Sequence, residues 1–101
     1  MEVEALIKQA HSIAQSVPLY RYNPQVLEKV IREGAIPEGA VIAYVGGQKL
    51  VREGDEAVCY KDGKATKRTA ITEEMRPKLL VQYAVTVASA AVPPVKMGMI
   101  G

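Results

Sequence analysis

The chain has 101 residues and a net charge of +2, with 49% apolar and 24% charged side chains and neither Phe nor Trp. This balance predicts one globular domain, residues 1–101, and excludes a disordered or low-complexity chain. So small a net charge implies no polyanionic partner by itself, and the single Cys59 excludes an internal disulfide.

The first predicted element covers residues 2–15. Val3, Leu6, Ile7, Ala10, Ile13, Ala14 and Val17 recur at steps of three and four, the pattern of a helix with one buried face, and Pro18 stops it. Glu2 and Glu4 favour its start through the helix dipole. They also interrupt any apolar run, so no signal peptide is predicted and the expected location is cytoplasmic or within a virion. Asn23 and Pro24 form a cap and first-turn pair that opens a second helix, and Gly34 is placed to close it in the left-handed conformation. Val3, Leu6, Ile7, Ala10 and Ile13 are expected to be buried together with Val26, Leu27, Val30 and Ile31.

From residue 40 the period becomes extended. Strands are predicted at residues 40–45, 48–52, 56–61 and 64–69, separated by Gly46-Gly47, by a loop around Gly54 and by Asp62-Gly63. Connections this short join antiparallel neighbours and predict a meander of three or four strands. The last helix is predicted from Thr72, an N-cap, to about Val92, with Pro77 near its first turn and Pro93-Pro94 ending it. The expected fold is therefore α+β: two N-terminal helices, an antiparallel meander, and one apolar C-terminal helix with an extended tail.

Residues 79–95 carry no charge. Only Gln82, Thr86 and Ser89 are polar within 79–92, and a helix apolar almost all round is covered on every side. Fourteen residues at 1.5 Å each reach only about 21 Å, so no membrane span is predicted. The cover is either this domain's own core or a neighbouring subunit. Ala84, Ala88 and Ala91 form a smooth ridge, and Met97, Met99 and Ile100 give the tail an apolar character; these six residues are the candidate subunit interface of a homo-oligomer.

The segment 61–78 holds six basic residues, Lys61, Lys64, Lys67, Arg68, Arg76 and Lys78, against three acidic ones. Alternation places Lys64, Thr66 and Arg68 on one strand face, an arrangement that can meet phosphates of a nucleic acid; the competing reading is that lysines on an edge strand block aggregation. Tyr20, Arg21 and Tyr22 read as loop anchors in preference to a stacking platform, and Gly46-Gly47 reads as a turn, since neither a Lys-Ser nor a Lys-Thr pair follows. His11 and Cys59 read as a boundary histidine and an inert thiol. Neither a catalytic constellation nor a ligand set for a metal can be drawn from them, and no cofactor is implied.

The order of helical start, meander and closing helix is similar to that of small assembly proteins such as phage head and tail connectors, at the level of fold analogy. The expected function is a non-enzymatic structural subunit of a homomeric or virion-like assembly, of capsid, connector or filament type. The alternatives are a small nucleic-acid-binding or regulatory protein using residues 61–78, and an accessory subunit of an enzyme complex.

Overall fold

A computed structural model describes residues 2–16 and 21–91. The fold is α+β, in the order α1 (Val3–Gln15), α2 (Pro24–Glu33), β1 (Val41–Val45), β2 (Gln48–Glu53), β3 (Glu56–Lys61), β4 (Lys64–Ala70) and α3 (Arg76–Ala90). No described helix is long and apolar enough to cross a membrane.

The three helices pack on one another around Leu6, Ile7, Ala10, Leu27, Val81 and Ala84, among others. Asn23 caps α2 as predicted: its Oδ1 accepts from the amides of Gln25 at 3.0 Å and Val26 at 3.2 Å, while Gly34 closes the helix at φ 71°. The Asn23 amide donates to the carbonyl of Ala88, tying the start of α2 to the last turn of α3. Leu27, Val30 and Ile31 are buried and Val26 is half-buried. On α1 the expectation needs correcting, because Val3 and Ile13 are exposed. Side chains on a helix lean toward its N-terminus, so Val3, the first helical residue, projects beyond the helical layer. Ile13 lies about 75° round from the centre of the stripe formed by Leu6, Ile7, Ala10 and Ala14, at 3.6 residues per turn.

The four strands form an antiparallel sheet in the order β1-β2-β3-β4. Asp62 at φ 54° and Gly63 at φ 79° both adopt the left-handed region, which makes the β3–β4 turn match the twist of its strands. Two irregularities break the pleat. Val41 pairs with Val51 but Ala43 with Leu50, so Ile42 is an extra residue in β1; Cys59 pairs with Lys67 but Tyr60 with Ala65, so Thr66 is an extra residue in β4.

Of the four strands only β1 packs directly against a described helix, α3. The Thr86 hydroxyl lies 2.7 Å from the Ile42 carbonyl and 2.9 Å from that of Gln82, and it can donate to either. One residue of the polar stripe on α3 thus satisfies the outer edge of the sheet at its bulge, a way of covering an edge strand. The helix begins later than predicted. A start at Thr72 would carry Pro77 into the helix interior, where its ring meets the carbonyl four residues back. Residues 72–75 form a turn instead, with Thr72 Oγ1 accepting from the Met75 amide at 3.3 Å, and Pro77 falls in the first turn of α3. The predicted stops at Pro18 and Pro93-Pro94 lie outside the described residues.

Candidate interaction surfaces

The alanine ridge of α3 faces inward. Ala84 and Ala88 are both 0% exposed and belong to the core shared with α1 and α2. These two positions leave no surface for a second subunit, which corrects their assignment to an interface. A 15-residue helix is short enough to be surrounded by two helices of its own chain and by β1. Ala91, just past the helix, is exposed. Met97, Met99 and Ile100 lie outside the described residues.

The basic segment divides. Residues paired across an antiparallel ladder share a face. Because Thr66 is an extra residue, Lys61, Lys64 and Lys67 stand on one face of the sheet and Arg68 stands on the other, opposite Val58. The predicted face of Lys64, Thr66 and Arg68 is therefore broken by the bulge. Lys61, Lys64, Lys67 and Lys78 are exposed, and no described carboxylate pairs with any of them. Arg68 Nη1 lies 3.3 Å from Glu53 and 3.4 Å from Glu56, and Arg76 Nε lies 3.2 Å from Glu73, so both arginines already have carboxylate partners.

Arg68 belongs to a polar cluster not anticipated from the sequence. The Tyr60 hydroxyl donates to Glu53 Oε2, and Arg68 reaches the other oxygen of the same carboxylate. Tyr60, Val58, Val51, Glu53, Glu56 and Arg68 occupy one face. Tyr60 and Glu53 are separated there by the Val51–Val58 row, so the ring of Tyr60 and the stem of Arg68 must cross Val58 to reach Glu53. Val58, on the same face, is fully buried. The Glu53 carboxylate holds the Tyr60 hydroxyl above its usual pKa by accepting its proton in a hydrogen bond, and it raises that of Arg68 by the same kind of contact.

The remaining sequence candidates separate in space. His11 Nδ1 is 3.0 Å from the Tyr22 hydroxyl and its Nε2 is 3.5 Å from Glu28 Oε2, while Gln15 Nε2 donates to Tyr22 at 3.3 Å. Tyr22 thus anchors the segment before α2 to α1, as expected; Tyr20 lies outside the described residues. Cys59 is half-buried in β3, and no group of three metal-ligating residues occurs among the described residues. Gly46 and Gly47 form the turn between β1 and β2.

Two clefts flank α3. One, of about 440 Å³, runs between α1, β1 and the outer side of α3 and is bordered by Ile13, Tyr44, Gln82, Thr86, Ser89 and Ala90. Around it Ile13 is 43% exposed and Tyr44 70%, and the neighbouring Val45 is 66% exposed. The second, of about 360 Å³, lies at the other end, where the first turn of α3 meets β2 and the segment between α2 and β1. Neither a family model, nor a curated protein, nor a solved structure matches the chain.

Proposed function

We propose that the protein is a non-enzymatic structural subunit of a larger homomeric assembly, of the capsid, connector or filament kind. The observation that carries this reading is the exposed apolar pair of Ile13 and Tyr44 lining the cleft between α1, β1 and α3. Large apolar side chains gathered at a surface depression with a polar rim, here Gln82, Thr86 and Ser89, are the usual mark of an association site. The cleft opens beside Ala90, from which the chain continues into residues 92–101 with Val95, Met97, Met99 and Ile100. The occupant proposed for it is a second copy of this chain.

Sedimentation velocity and light scattering test the proposal. The unmodified protein should form a large, concentration-dependent species. Tyr44→Glu should reduce its mass without unfolding the chain, because this side chain stands largely in solvent, 70% exposed. An unmodified protein that stays monomeric at millimolar concentration overturns the reading.

A second reading rests on Lys61, Lys64 and Lys67, which share one sheet face without carboxylate partners among the described residues. Such a row attracts phosphate oxygens, and it also guards the open edge of β4 against pairing with another chain. Replacing all three by Ala should flatten the salt dependence of duplex DNA binding by roughly 0.9 in log slope for each phosphate no longer neutralised. Absence of DNA binding by the unmodified protein at low salt removes this reading.

A further inference from the structure

We infer that the cleft at the start of α3 is a binding site for a small amphiphilic carboxylate, an unbranched chain of about eight to twelve carbons. Its walls are apolar, formed by Leu6, Ile36, Ile71, Pro77, Leu79 and Leu80, and no acidic residue lines it. Two guanidinium side chains, those of Arg52 and Arg76, also line it, and Arg76 is paired through Nε with Glu73, so the charge without an ion pair is that of Arg52. The volume of about 360 Å³ is at the lower end for small-molecule sites and fits a short ligand.

Arg52 supplies the charge argument. It is half-buried, its Nε donates to the Gly54 carbonyl at 3.0 Å and its Nη1 donates to the Ile36 carbonyl at 2.6 Å. Both partners are neutral, and none of the ion pairs among the described residues includes Arg52. The nearby Glu38 is engaged elsewhere, with both oxygens accepting from the Gly54 amide at 2.9 and 3.0 Å. Arg52 is thus fixed in place by backbone while its charge makes no ion pair among the described residues. A guanidinium has five N–H donors, so three remain for a carboxylate, which such a fork meets well. An apolar wall beside an uncompensated, partly desolvated cation selects an anion that carries a hydrocarbon chain over either an inorganic anion or a neutral lipid.

Methyl-labelled protein titrated with decanoate below its aggregation threshold tests the site. Saturable shifts are expected at the methyl groups of Leu6, Ile36, Ile71, Leu79 and Leu80, with Ile13 and Ile42 unmoved. Affinity should rise roughly two- to four-fold per added methylene until the cleft is filled. Decanol should bind at least tenfold more weakly than decanoate, and acetate should not saturate in the same range. Arg76→Gln, at an exposed position, should weaken decanoate binding at least threefold. Arg52→Lys keeps the charge but loses the fork and should weaken it further; if that variant does not fold, the decanoate and decanol comparison on the unmodified chain still decides. Equal binding of decanol, or shifts centred on Ile13, overturns the inference.

Discussion

Tyr60 carries the most specific prediction at the scale of single residues. Its phenol donates to Glu53, so ionising it removes that hydrogen bond and sets a phenolate beside a carboxylate. The pKa is raised above the ordinary 10.0 in the folded chain, which means the unfolded chain loses this proton first. The contribution to stability is therefore complete below pH 10 and is lost as pH rises through the folded pKa. An absorbance titration near 295 nm, with Tyr60→Phe as the reference, should place Tyr60 above the ordinary range, and Glu53→Gln should bring it down. Ionisation of Tyr60 at the ordinary value in the unmodified protein would contradict the geometry. Little of this cluster was legible beforehand, because a one-residue bulge is set by backbone pairing and leaves no mark on side-chain alternation. With two-residue turns and an unbroken ladder, Arg68 would stand opposite Ala57 and share a face with Lys64. The extra Thr66 moves it opposite Val58, within reach of Glu53 and Glu56.

Elements were far easier to read than their faces. Asn23-Pro24, Gly34, Gly46-Gly47 and Asp62-Gly63 are local chemical instructions, and each ends or begins an element close to where it was expected. The packing of α3 was harder to foresee, since an uncharged helix looks the same whether its cover comes from its own chain or from another. Thr86 shows what decides the matter, as its hydroxyl joins the helix to the bulged edge of β1. Thr86→Val keeps the shape and leaves the Ile42 carbonyl without this donor, which should cost on the order of 1 kcal/mol in chemical denaturation. Thr86→Ser keeps the hydroxyl and should recover most of that loss. Equal destabilisation by both would assign the effect to the missing methyl.

For the molecule as a whole, the inward ridge of α3 changes what a charge introduced there does. Ala88→Glu would bury an unpaired carboxylate between α3 and its own neighbouring helices, at a cost of several kcal/mol, so the chain should unfold instead of merely dissociating. Ala91→Glu, at an exposed position beyond the helix, should leave thermal stability nearly unchanged while remaining informative about association. Circular dichroism melts of the two variants, read beside their masses in solution, separate folding from assembly. If Ala88→Glu melted like the unmodified protein, the burial of the ridge would be wrong.

The single joint between α3 and β1 also bears on how the chain breathes. Because β3 and β4 have no close backbone contact with a described helix, and β2 approaches α3 only across the cleft beside Arg52, the meander can open as one cooperative unit while the three helices stay closed, at a free energy below that of global unfolding. Amide hydrogen exchange should then divide the chain in two. The strand amides, even that of fully buried Val58, should exchange together and sooner, and the amides around Leu27 and Val81 should be the last to yield.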